Sequence, residues 1–248
     1  MIERIKLANV TKRFTRRVKK ENKSVLSQVL GLFSKKDQHF EFEVLKNVSF
    51  VVHAGEILGV IGKNGSGKST LLKIVAGIYN TDSGQVKTDG SLIYVTGFGQ
   101  GLKAKLTMIE NIYLLGAVMG LTKKEINKKM DEIVNFSGLK DYLYTPVFQF
   151  SSGMVSRLSF SISVHCLEHH NPDVLLLDEA FSAGGDLDFQ EKGVKKMEDL
   201  IKKGAAVILV SHGLDMIQKY CNRVVMLENG EIKFEGKPEE VIKYYSGK

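Results

Sequence analysis

Nine consecutive residues, Gly62-Lys63-Asn64-Gly65-Ser66-Gly67-Lys68-Ser69-Thr70, fit the phosphate-binding pattern G-x-x-x-x-G-K-[ST]. The apolar run Ile57 to Ile61 leads in as a buried strand, and Leu71-Leu72-Lys73-Ile74-Val75 leads out as a helix. Strand, glycine-rich turn and helix N-terminus together make an anion cradle. The glycines let several backbone N–H groups converge, the helix dipole adds partial positive charge, and Lys68 adds a full one. The expected ligand is a nucleoside triphosphate, with Lys68 reaching its β- and γ-phosphates and Ser69 offering its hydroxyl to Mg²⁺. The plain alternative, a glycine-rich turn that binds nothing, sits badly with a strand and a helix both in register with it.

A phosphate loop implies binding; hydrolysis needs a metal-directed carboxylate and a group that positions water. Leu175-Leu176-Leu177-Asp178-Glu179 supplies both, because an apolar strand ending in Asp-Glu puts Asp178 at the C-terminal edge of a sheet and Glu179 one residue on. The next apolar strand ends in Ser211-His212 at the same edge, where the His212 imidazole can reach a γ-phosphate. A second anion site is expected at Phe150-Ser151-Ser152-Gly153-Met154, whose two serines and glycine open a helix carrying Leu158, Phe160 and Ile162. Read without context, the last of these is an ordinary helix cap.

The elements that must hold these groups are legible as periodicities. Strands are predicted at Ile5 to Val10, Val48 to His53, Gln85 to Lys87 at an edge, and Ser91 to Val95, the third after a turn at Asn80 to Gly84. From Thr107 to Leu143 the pattern is helical, with Ile109, Ile112, Leu115 and Val118 assigned to one face and Ile126, Met130, Ile133 and Val134 to the next. Buried strands return at Val174 to Leu177 and Ala206 to Val210, separated by an amphipathic helix around Val194 to Ile201. Such unbroken apolar runs suit a sheet covered on both faces, hence an α/β fold. Arg223 to Leu227 and Glu231 to Glu235 read as a hairpin closed at Glu228-Asn229-Gly230, and Pro238 to Tyr245 as a final helix.

With 248 residues, 43% of them apolar and 25% charged, the chain can bury a proper core, and three prolines without repeats exclude fibrous, solenoid and disordered classes. Two cysteines, Cys166 and Cys221, are too few for a disulfide framework or zinc cluster and are expected as buried thiols. The start lacks the apolar stretch of a signal peptide and no run is long enough to span a bilayer, so a cytoplasmic chain is expected. The net charge of +7 is concentrated near the N-terminus: Lys12, Arg13, Arg16, Arg17, Lys19, Lys20 and Lys23 face one acid, Glu21. Beyond them Val25, Leu26, Val29, Leu30, Leu32 and Phe33 fall mostly on one side of a short helix. Basic residues beside an amphipathic segment suit an anionic membrane interface, and with only Phe14 among them as a stacking platform a nucleic-acid surface is disfavoured.

In this order, with a helical block before the Ser151 motif, the motifs resemble those of the ATP-binding-cassette ATPases over essentially the whole chain. Where that family keeps Leu-Ser-Gly-Gly-Gln, this chain has Phe150-Ser151-Ser152-Gly153-Met154, which is similar to the polysaccharide-export branch. The resemblance implies an α/β P-loop NTPase with a mixed-sheet core, an antiparallel β subdomain and a helical subdomain. It divides a single nucleotide-binding domain, residues 1–248, into a core with its β subdomain (1–96 and 172–248), a helical subdomain (about 97–171) and an amphipathic insertion (about 16–39). It implies Gly62 to Thr70 as the Walker A loop, Asp178 and Glu179 as the Walker B pair, and His212 as the switch histidine. By the same resemblance Phe14, with Phe42 as second candidate, stacks on adenine, Gln100 is the Q-loop glutamine touching the metal, and Asp186 is the D-loop aspartate, one residue further from Glu179 than the family's usual spacing.

The function implied is ATP hydrolysis, with Mg²⁺, by a homodimer that clamps each ATP between Gly62 to Thr70 of one copy and Ser151 to Gly153 of the other. The dimer would sit beneath a membrane permease dimer at the cytoplasmic face of the inner membrane, as a peripheral subunit exporting a lipid-linked polysaccharide such as O-antigen, capsule or teichoic acid, with no nucleic acid involved. Since the chain stops at Lys248, directly after the ATPase core, no carbohydrate-binding domain is expected. The alternatives are a transporter ATPase for another substrate, a soluble cassette ATPase acting on nucleic acid or ribosomes, and a scaffold that binds ATP without hydrolysing it.

Overall fold

A computed structural model describes residues 2–18, 38–96, 101–179, 189, 195, 198–199, 202–211 and 213–247. The first two strands, β1 (Glu3–Val18) and β2 (Gln38–His53), pair antiparallel along their whole length, from Glu3 opposite His53 to Val18 opposite Gln38. With β4 (Ser83–Thr88) on the other side of β1 they form a three-stranded sheet in the order β2-β1-β4.

A second, six-stranded sheet runs β5-β6-β7-β3-β8-β9. Its members are β3 (Ile57–Ile61), β5 (Leu92–Thr96), β6 (Val174–Asp178), β7 (Ala206–Val210), β8 (Arg223–Glu228) and β9 (Glu231–Gly236). All pairings are parallel except the β8–β9 hairpin. β3 and β7 are buried at all five positions, as continuous aliphatic runs require of strands covered on both faces. One face packs against β1, β2 and the helix α1 (Lys68–Val75), through Leu58, Val60, Leu71, Leu72, Leu176 and Ile208 among others. The opposite face packs Ile57, Ile61, Leu175, Leu177 and Leu209 against Phe160, Val164 and Leu167 of a 19-residue helix.

That helix, α4 (Ser152–His170), joins α2 (Met108–Val118) and α3 (Lys123–Ser137) around a third core of Met108, Ile112, Ile126, Ile133, Leu158 and Ile162. Thr107 with Glu110 and Thr122 with Glu125 form reciprocal capping boxes that fix where α2 and α3 begin. Gly138 closes α3 in the left-handed conformation, φ 69°. α5 (Leu214–Tyr220) and α6 (Pro238–Ser246) complete the chain. This is the α/β fold expected from the sequence, a mixed sheet with an antiparallel β layer and a helical part. Among the described residues no helix is long and apolar enough to cross a membrane.

Two expectations need correction. Of the residues 16–39 assigned to an insertion, Arg16, Arg17 and Val18 instead continue β1 and Gln38 and His39 begin β2, and 19–37 lie outside the described residues. The ladder persists there because every second residue pair adds two cross-strand hydrogen bonds, and it is reinforced below by the Arg13 to Glu43 ion pair at 2.7 Å. The amphipathic segment Val25 to Phe33 lies outside the described residues, as does most of the helix predicted around Val194 to Ile201. In α2 the buried stripe is Met108, Ile112 and Leu115, while Val118 is 78% exposed at the end of the helix, where the third core stops. Both cysteines are buried free thiols, as expected. Burial pushes Cys166 up to about 11, against a lowering by Lys129, and Cys221 up to about 12.

Asn111 shows how a buried polar side chain positions the site. Fully buried in the first turn of α2, it accepts from the Lys103 N–H at 2.7 Å and donates to the carbonyls of Lys103, Leu106 and Thr107 at 3.1, 3.1 and 2.9 Å. It thereby pins the strand-to-helix connection just after residue 100. Asn111→Ala leaves the part-buried Lys103 N–H and Leu106 carbonyl without this partner, and we expect a loss of about 1–2 kcal/mol, read as a lower urea midpoint at unchanged m-value.

Candidate functional site

The Gly62 to Thr70 loop leaves the central strand β3 and enters α1 at the sheet's C-terminal edge. Its shape depends on two glycines. Gly62 has φ 153°, and a Cβ there would lie 2.2 Å from the Leu227 carbonyl oxygen of β8. Gly67 caps α1 at φ 107°, where a Cβ would meet the Val44 carbonyl oxygen and Leu45 of β2 at 2.8 Å. The backbone therefore passes between β8 and β2 at distances only glycine allows. A cavity of about 490 Å³ opens beside Lys63 to Ser66, against Glu228 and Asn229 at the end of β8.

Lys68 is 7% exposed, and its ammonium donates to the carbonyls of Gly62 at 2.7 Å and Lys63 at 3.1 Å. Burial lowers its pKa, while Glu179 and Asp178 act in the opposite direction. The cation and both carboxylates thus share one site. Ser66 Oγ is buried and has no hydrogen-bond partner among the described residues. A buried hydroxyl, an ammonium and a curled backbone suit an oxygen-rich anion, so the loop fits a polyphosphate. The exposed Ser69 hydroxyl and the Asp178 carboxylate are hard oxygen donors of the kind Mg²⁺ takes.

Asp178 ends β6 half-buried, paired with Val210 on β7 and Thr96 on β5. Glu179, the next residue, is exposed and bends away in the left-handed region at φ 54°, its N–H held by the Val210 carbonyl at 2.9 Å. A non-glycine residue pays for that conformation, and such costs gather at functional positions. Ser211 continues from β7 at the same edge and accepts from the Gly213 N–H at 3.1 Å. His212 between them lies outside the described residues, as do Gln100 and Asp186.

Ser151 caps α4, accepting from the Met154 N–H at 3.2 Å, and Ser151 and Ser152 are exposed with Gly153 half-exposed beside them. Among the described residues no hydrogen bond or ion pair joins this cap to the Gly62 loop of the same chain. Phe14 on β1 lies opposite Phe42 on β2, ring centroids 6.2 Å apart, and edge-on to Tyr79 at 5.5 Å. Phe14 is half-buried, whereas Phe42 is 49% exposed and two residues from the Val44 that touches Gly67.

Sequence reasoning missed one residue at this site. Tyr94 on β5 donates its phenolic hydroxyl to Asp178 Oδ2 at 3.1 Å. Burial and the Asp178 carboxylate both raise its pKa, so it remains a donor. The available signal was a hydroxyl-bearing residue in the otherwise apolar Leu92 to Val95.

The model of the ABC transporter family matches residues 45–182, more than half of the chain. The chain belongs to the ABC transporter family. Within the family it is similar to the teichoic acids export ATP-binding protein TagH of Lactococcus lactis, 40% identical over 98% of this chain and 50% of that protein. It is 42% identical to the TagH protein of Levilactobacillus brevis, over 98% of this chain and 64% of that one. The O-antigen export system ATP-binding protein RfbB of Klebsiella pneumoniae is 36% identical over 83% of this chain and 81% of its own. The chain therefore spans half to two thirds of the length of the two TagH proteins.

Among solved structures, an ATP-binding subunit of an ABC transporter matches with a TM-score of 0.69 at 21% identity, over 98% of this chain and 93% of that one. A dimeric ATP-binding cassette in a post-hydrolysis state, bound to ADP and phosphate, gives 0.68 at 24% identity, over 94% and 98%. At those identities the likeness is one of fold.

Proposed function

We propose that the chain is the ATP-hydrolysing subunit of an ABC transporter that exports a lipid-linked polysaccharide of the teichoic acid, O-antigen or capsule kind. The observation that carries the reading is identity of 40% and 42% over 98% of the chain to two teichoic acid export proteins, with the Lys68, Asp178 and Glu179 constellation intact. On this reading residues 1–96 and 172–248 form the ATP-binding core and its β subdomain, and about 97–171 the helical subdomain.

Gly62 to Thr70 bind the triphosphate, with the Lys68 ammonium moving from two loop carbonyls to phosphate oxygens. Phe14 or Phe42 stacks on the base. Glu179 accepts a proton from the attacking water, and the His212 imidazole hydrogen-bonds the γ-phosphate. Ser69, Asp178 and Gln100 would hold Mg²⁺, which would supply positive charge against the negative charge of the triphosphate. A second copy supplies Ser151, Ser152 and Gly153 across the nucleotide, with Asp186 at the contact between copies; among the described residues no hydrogen bond joins the Ser151 cap to the loop of its own chain. The homodimer works beneath a pair of membrane permease subunits, at the cytoplasmic face of the membrane.

Deleting the gene in its native host is expected to leave lipid-linked glycan inside the cell, restored by the wild-type chain and not by Lys68→Ala. Normal surface glycan in the deletion strain would overturn the assignment of substrate.

A further inference from the structure

We infer that Tyr94 is a positioning residue for Asp178: its hydroxyl holds one carboxylate oxygen so that the other is presented to a magnesium–nucleotide complex. The inference rests on the ATP-binding reading above and adds a residue to it.

The strand register makes the contact specific. On the parallel β5–β6 pair, Tyr94 stands opposite Leu176 and Thr96 opposite Asp178. Side chains alternate along a strand, so Leu176 and Asp178 point to one face, and Tyr94, packed in the same core as Leu176, points there too. The tyrosine therefore lies one pleat back from the carboxylate, at a diagonal that a long ring can bridge and a short side chain cannot. Its hydroxyl reaches Asp178 Oδ2 at 3.1 Å, the one hydrogen bond made by the Asp178 side chain among the described residues. Thr96 is nearer in register but exposed, and no hydrogen bond joins it to Asp178 among the described residues.

Packing alone does not explain the hydroxyl. The ring packs against the core that includes Leu176, where phenylalanine would serve as well. The phenol is accounted for by its carboxylate partner. A donor to Oδ2 removes the freedom of the carboxylate to rotate and leaves Oδ1 for the metal-directed role. Outer partners of metal-directed carboxylates commonly change metal affinity by about 10-fold when removed.

The test uses the full chain and a fluorescent ADP analogue, with its Kd measured in excess Mg²⁺ and in EDTA. In the wild type Mg²⁺ is expected to tighten binding. In Tyr94→Phe, which keeps the ring, that tightening should fall by about 10-fold while the Kd in EDTA stays within about twofold. In an Asp178→Asn background the Tyr94→Phe change should have no further effect, because the carboxylate it orients is gone. Equal Mg²⁺ tightening in the wild type and Tyr94→Phe would overturn the inference and leave the ATP-binding reading standing. Equal losses with and without Mg²⁺, or additive effects of the two substitutions, would reduce Tyr94 to packing and overturn it as well. A wild-type chain that binds no nucleotide would sink the underlying reading too.

Discussion

Glu179→Gln is expected to lower phosphate release by about 10²- to 10³-fold while ATP affinity stays within about twofold of the wild type. The carboxamide has the size of the carboxylate but cannot take a proton from water. With Asp178 and Lys68 in place, nucleotide should still bind, and on the proposed homodimeric reading ATP-bound dimers should accumulate. A phosphate-release assay with size-exclusion chromatography reads both effects; turnover above about a tenth of the wild-type rate would remove Glu179 from the role of base. The backbone adds a second readout. At φ 54° a residue with a Cβ bears a cost on the order of 1 kcal/mol, which glycine does not. Glu179→Gly should therefore be inactive and yet at least as stable as the wild type by urea unfolding, whereas a merely structural glutamate would show the reverse.

Lys68→Met is the second large effect. The methionine retains the buried aliphatic stem and loses the ammonium, so ATP binding should weaken by roughly 100-fold, equivalent to about 3 kcal/mol of charge-assisted hydrogen bonding. Nucleotide-free stability should move the other way. Burial lowers the folded-state pKa of Lys68 below its ordinary 10.5, so the unfolded chain binds the proton more tightly. The resulting penalty on folding is fully present below the lowered folded value and disappears as pH rises through 10.5. The variant is thus expected to melt no lower than the wild type near neutral pH, with any advantage vanishing above pH 10.5. A wild-type ATP affinity in Lys68→Met would contradict the assignment of the loop.

What could be read beforehand follows from which signals are local. The glycine loop, the strand ending in Asp178 and the serine cap at Ser151 are each written in a few consecutive residues, and all three occur where expected. The hairpin at Asn229-Gly230 and the helix from Pro238 are equally local and equally legible. The extension of β1 to Val18 was not, because the basic residues from Lys12 to Arg17 show no strand alternation of their own; the partner strand from Gln38 turns the segment into a ladder. Val118 was misassigned because helical periodicity says which residues share a face and not where the neighbouring core ends. Tyr94 stands out in sequence only as a hydroxyl in an apolar strand, because its role depends on the register between β5 and β6, and these strands are about 80 residues apart in sequence.

The two fully buried strands have a consequence for how the molecule opens. β3 and β7 lie side by side in the interior of the six-stranded sheet, and the glycine loop and Ser211 leave from their ends. Their amides can exchange with solvent only when the whole core comes apart, whereas the border strands β5 and β9 can fray alone. In deuterium-labelling terms, the phosphate loop hangs from the slowest-exchanging strands and Tyr94 sits on a border strand. The strands beneath the glycine loop are thus expected to stay closed while the sheet's margins open and close.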